Sequence, residues 1–251
     1  MIKKVVFVLI GLIIVCLIVG YFTRNQIVKS AVETGGEYAL GVENNLASAN
    51  LDFGGASLAL NEYRIDNPDG FEKEYFMEIK RGILDIESGS VFKDEVVVDS
   101  MILEGLKINF EQIDVRGNYK QILNHIQNLD FGSNSSDDGT DLRMKIKSAV
   151  FRDIEVSASL TAMGKQLYDK SFKIENISLS NIGGSTGASV GEITAILIRR
   201  LIKEALSQGK DILPDGFDLN LKNAVDDTIE NLESDAKDKL KDLGGSLLKG
   251  K

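Results

Sequence analysis

Between Val5 and Phe22 the chain runs for 18 residues without a charge or a proline. At about 1.5 Å per helical residue the run reaches roughly 27 Å, close to the hydrocarbon core of a bilayer. Its apolar residues Val5, Val6, Phe7, Leu9, Ile10, Leu12, Ile13, Ile14, Leu17, Ile18 and Phe22 leave it no polar face, which a buried core helix of this length would carry. A cleaved signal peptide is the alternative. Its apolar region is shorter and ends at a small-residue site, whereas this run leaves through Gly20-Tyr21-Phe22-Thr23-Arg24. The expectation is a transmembrane signal anchor over residues 1–24. Lys3 and Lys4 before the span nearly balance Arg24 and Lys29 after it, and the acidic stretch beyond Lys29 favours an internal N-terminus.

After the anchor the period is helical over Asn25–Ala39, through Ile27, Val28, Ala31 and Val32, with Gly35-Gly36 as an interruption. Residues 25–48 therefore read as a stalk helix and linker. From Ala49 the period becomes two. Leu51 and Phe53 alternate with polar neighbours, Gly54-Gly55 gives a hairpin signal, and Leu58 and Leu60 continue on the return. Asn67-Pro68-Asp69-Gly70-Phe71 reads as a turn. Short strands are expected at Gly82–Glu87, at Glu95–Asp99 and around Leu106, Ile108 and Phe110. Over 142–160, Leu142, Met144, Ile146, Val150, Ile154 and Val156 share one parity and the charged residues the other. That is the pattern of an antiparallel sheet with one wet face rather than a buried parallel one. Phe151 and Arg152 break it, which predicts a bulge or a turn there, and a further slip falls at Asn176.

Three helices punctuate these strands. Asn118–Leu129 puts Tyr119, Ile122, Leu123, Ile126 and Leu129 on one face. Ser189-Val190-Gly191-Glu192 is a capping box opening a helix to about Gln208, whose apolar face is so broad that it must be buried. A last helix near 222–243 carries Val225, Ile229, Leu232, Leu240 and Leu243 at spacings of three and four. The expected divisions are a β-rich body over 49–187, a packing helix over 188–209 and an acidic amphipathic helix within 210–251. The fold class is α+β: an N-terminal transmembrane helix, then a mainly antiparallel, curved sheet of about nine strands with two or three covering helices.

Composition narrows the chemistry. The 251 residues carry a net charge of −9, which argues against nucleic acid as a partner. Trp is absent, and the single Cys, Cys16, falls inside the apolar run, so it can form no internal disulfide and is not placed for catalysis. His125 is the only His and has no nucleophile or carboxylate pattern around it, so it reads as a surface residue. Asn134–Gly139 with Asp138 and Asp141 vaguely follows a calcium loop, but Lys145 stands where the acidic twelfth ligand belongs. The triplets Asn134-Ser135-Ser136 and Asn176-Ile177-Ser178 match glycosylation acceptors, a pattern common by chance. No phosphate loop, metal spacing or cofactor motif is present, so no cofactor and no catalysis are expected.

The order of elements, with the turn Asn67–Phe71, the stretch Val91–Glu111 and the helix start Asn118–Leu123, resembles the AsmA-like proteins of bacterial envelopes, as a short member. The resemblance covers about residues 1–208 and rests on element order. It implies an inner-membrane, single-pass protein with its body in the periplasm and a role in envelope maintenance or lipid handling.

One feature carries functional promise. Leu51, Phe53, Leu58, Leu60, Leu106, Ile108, Phe110, Met144, Ile146, Ile154 and Val156 share an apolar sheet face. That face is either a groove for an acyl chain or an ordinary core under the helices. The partners expected are the bilayer, with phospholipid and an envelope protein as open alternatives. The second of these, a tethered scaffold, would work through the helix at 222–243.

Overall fold

The computed structural model describes residues 23–91, 93–129 and 143–213. Within them lie a curved sheet of seven strands and three helices. Helix α1 covers 23–40 and is followed by β1 (Asn44–Asp52), β2 (Ser57–Asp66), β3 (Tyr75–Ile86), β4 (Glu95–Ile113) and the short β5 (Arg116–Gly117). Then come α2 (Asn118–Asn128), β6 (Arg143–Ala162), β7 (Lys165–Ile182) and α3 (Val190–Gln208). The strands lie in the order β1-β2-β3-β4-β6-β7, with β5 paired to the end of β4. All pairs are antiparallel except β4 with β6.

That parallel pair corrects the antiparallel reading of 142–160. The chain leaves the end of β4, forms β5 and α2 on one face, and returns to run alongside β4 in the same direction. The outer face of β6 stays wet because α2 and α3 both lie on the inner one, so alternation persists in a parallel strand.

Expected strands also merge. The segments at 95–99 and 106–110 belong to the single strand β4, and β3 begins at Tyr75 rather than Gly82. The reason is a crease. Residue pairing skips one residue in every long strand at the same level: Ala47, Glu62, Lys80, Gly105, Asp153 and Glu175. On alternate strands the skipped residue is left-handed: Glu62 at φ 50°, Gly105 at φ 69° and Asp153 at φ 53°. Each strand's inward parity inverts as it crosses this line. Ile79 and Gly82 are buried with Lys80-Arg81 exposed between them, and Phe151 and Ile154 are buried around the exposed Arg152-Asp153. Such irregularities bend strands, and a row of them bends the sheet. The predicted break at Phe151-Arg152 is therefore a slip inside β6, not a turn; Val150 is half-buried while Ala149 and Phe151 point inward.

Beyond the crease the inner face is filled. Phe76, Leu106, Ile108, Phe110, Ile154 and Val156 pack in one cluster with Tyr119, Ile122, Leu123 and Ile126 of α2. Phe110 meets Tyr119 edge-on at 5.4 Å between ring centroids. A polar knot closes this end. Glu111, nearly fully buried, accepts from Asn67 Nδ2 at 2.5 Å and from the backbone amides of Glu72 and Lys73 at 2.9 Å each. Asn118 accepts from the amides of Glu111 and Tyr119 and donates to Asn67 and to the Asn109 carbonyl. The turn Asn67–Phe71 and the start of α2 thus form one hydrogen-bonded clamp, and their polar residues satisfy backbone groups that burial would otherwise strand.

Helix α1 is not a stalk. It lies against the sheet, and its glycines do not interrupt it. A Cβ on Gly35 would stand 3.0 Å from Val190, and one on Gly36 would collide with Tyr63 and Asn44. Its polar side chains serve the edge strand β1. Asn25 accepts from the Leu51 amide at 2.9 Å, Arg24 donates to the Leu51 carbonyl at 2.9 Å, and Glu33 accepts from the Leu46 amide at 2.8 Å. These bonds cover an edge that would otherwise offer itself to other strands. The capping box of α3 forms as expected, Ser189 and Glu192 each accepting from the other's backbone amide. The anchor residues Val5–Phe22 and the stripe Val225, Ile229, Leu232, Leu240 and Leu243 lie outside the described residues. No helix among the described residues is long and apolar enough to cross a membrane.

Candidate functional site

On the other side of the crease the inner face is not filled. A cavity of about 320 Å³ lies between the sheet, the first half of α1 and the first turns of α3. Val28, Ala31 and Val32 line it from α1, and Val190, Ile193, Thr194, Leu197, Ile198 and Leu201 from α3. The bed comes from β1 to β4 and β6, with Leu58, Leu60, Leu84, Met101, Leu103 and Phe151 among its residues. At the centre of that bed is Gly82. A Cβ there would meet Leu103 Cδ2 at 2.8 Å and Leu60 Cβ at 3.4 Å, so the absent side chain lets Leu103 and Leu60 close over the strand. Glycine inside a strand often marks close approach by another group.

Among the described residues the lining has two polar side chains, and both are occupied. The Tyr63 hydroxyl donates to Asn44 Oδ1 at 3.2 Å, and burial raises its pKa far above the usual phenol value, with Glu33 adding to the shift. Thr194 Oγ1 donates to the Val190 carbonyl at 2.9 Å. Among the described residues the lining is therefore apolar and uncharged, suited to hydrocarbon and poor in partners for water.

Exposure is graded along it. Leu103, Phe151, Ile198 and Leu201 are buried, whereas Leu51, Ile86, Val91 and Val96 are half-buried and Phe53 is 43% exposed. Next to Phe53 is the start of α1: the Arg24 guanidinium stands 5.9 Å from the Phe53 ring centroid. The mouth thus adjoins the point where the described chain begins, one residue after the apolar run ends.

The sequence-derived apolar face divides between two environments. Leu51, Phe53, Leu58, Leu60 and Met144 line the cavity. Leu106, Ile108, Phe110, Ile146, Ile154 and Val156 do not; each is at most 1% exposed and belongs to the core. Sequence reasoning missed the contributions of Gly82, Leu103 and Phe151 and of α1. Only Gly82, a glycine between Arg81 and Ile83 in an apolar strand, left a readable sign. His125 also differs from expectation. It is half-buried, and its Nε2 donates to the Tyr38 carbonyl at 3.0 Å, tying α2 to the end of α1. Among the described residues no group of three or more His, Cys, Asp or Glu is placed to hold a metal ion. Compared with known proteins, the chain matches no family model, no curated protein and no solved structure.

Proposed function

We propose that this protein is a membrane-anchored, periplasm-facing lipid-handling protein of the bacterial envelope, built in the manner of the AsmA-like proteins, and that it binds an acyl chain without catalysis. The observation that carries the reading is the apolar cavity of about 320 Å³, within the usual range of roughly 300–1,000 Å³ for small-molecule sites. The anchor rests on the uncharged run Val5–Phe22, and the orientation and compartment on the charge pattern and the resemblance in element order.

The test compares the full chain with Leu60→Glu, purified in the same detergent, extracted with organic solvent and assayed for phospholipid by mass spectrometry. Leu60 lines the cavity and is only half-buried, so a carboxylate there puts charge into the space without breaking the core. Lipid around the anchor is common to both proteins. Excess lipid on the wild type, with both proteins melting cooperatively, supports the reading; equal lipid on both overturns it.

A further inference from the structure

Resting on that reading, we infer that the cavity is a blind pocket that takes a single acyl chain tail-first, through the mouth beside Phe53 and Arg24, and leaves the head group outside. Three observations carry this. The first is size: about 320 Å³ is roughly twice the ~150 Å³ that encloses one benzene ring, which suits one chain and not two side by side. The second is the inner end. There the lining is Leu103, Phe151, Ile198 and Leu201, all nearly inaccessible, and past the crease the face is occupied by α2 and its partners. Among the described residues no through-groove along the sheet is left for a chain to slide out at the other side.

The third is polarity. A carboxylate or phosphate drawn inward would lose water and find, among the described lining residues, only the Tyr63 and Thr194 hydroxyls, both already donating elsewhere. Burial of an unpaired charge is strongly unfavourable, so the tail leads and the head stops at the rim. The mouth adjoins residue 23, immediately after the apolar run that ends at Phe22, so the lipid offered to it is that of the membrane holding the anchor. On this geometry the protein extracts or presents one chain at a time and is not a continuous conduit.

The experiment uses the full chain in detergent micelles with a lysophosphocholine bearing a photoactivatable diazirine at its methyl end, and a second probe with the diazirine beside the head group. Labelled residues are mapped by peptide mass spectrometry, and unlabelled lysophosphocholines of graded length compete. The methyl-end probe is expected to label Leu103, Phe151 or Leu201, and the head-proximal probe Phe53, Ala31 or Val91. Competition should strengthen about fourfold per added methylene until the chain reaches the inner end, and then level off. In Leu201→Phe, which adds bulk at the inner end, the plateau should move to shorter chains. No label on any lining residue from either probe would overturn the acyl-binding reading itself. Label at the inner end from both probes, or a gain that continues without a plateau, would leave that reading standing and overturn the blind, tail-first pocket.

Discussion

Gly82 and Arg199 are the residues whose surroundings depart most from what their neighbours in sequence suggest. Gly82 gives up a side chain in the middle of an apolar strand that lines the cavity, and Leu103 packs into the place a Cβ would take. Arg199 does the opposite. It keeps a guanidinium at 1% exposure, with Nε and both terminal nitrogens lacking a hydrogen-bond partner among the described residues. Burial pushes its pKa down to about 10, against 12.5 for the free group. A buried, unpaired cation opposes folding, and an apolar replacement of similar length removes the penalty. Arg199→Met is therefore expected to raise stability by about 1–4 kcal/mol in urea or guanidinium denaturation. A loss of stability would show instead that an anion meets the guanidinium in the folded protein.

At the level of elements, the crease explains why the strands were read only in pieces. Alternation is legible within Leu106-Ile108-Phe110 or Leu58-Leu60, but a strand that inverts parity halfway looks like two strands joined by a polar pair. Lys80-Arg81, Arg152-Asp153 and Glu175-Asn176 are such pairs, and the left-handed residues Glu62 and Asp153 leave none of the mark a Gly would. The capping box of α3 and the apolar stripe of α2 were legible because both depend on contacts within a few residues. The parallel partnership of β4 and β6 was not, because pairing partners are set across the chain. Gly105 tests the crease directly. It is left-handed, and a Cβ there would stand 2.9 Å from Lys80 Cβ. Gly105→Ala should cost about 1–2 kcal/mol from the backbone conformation alone. The same substitution at Gly89, which has open space around it and is not in that conformation, is expected to have little effect on the denaturation midpoint.

For the molecule as a whole, the same alternating face is mostly core on one side of the crease and mostly cavity on the other, with Ile146 in the core and Tyr63 and Ile79 reaching the cavity across the line. Periodicity reports that a side chain points inward; it does not report whether anything fills the space it points into. That depends on which helix arrives above it, and α2 packs against aromatic and branched side chains whereas α1 presents only Val28, Ala31 and Val32 to the cavity. The placement of the body is testable through the β6–β7 hairpin, where Met163 is 95% exposed. Cys16 is the only native thiol. With Cys16 replaced by Ser, Met163→Cys should react with a membrane-impermeant maleimide in cells whose outer membrane has been permeabilised and whose inner membrane is intact. Protection until the inner membrane is breached would put the body in the cytoplasm.

Helix α1 roofs the cavity and also satisfies the free edge of β1, using Arg24, Asn25 and Glu33. The two tasks cannot be separated mechanically. Tilting the start of α1 away to widen the mouth first breaks the bonds to Leu51, so every opening event also bares backbone amide and carbonyl groups on an outer strand. A molecule caught open would be prone to pair edge to edge with a neighbour, so whatever holds α1 down also guards against self-association.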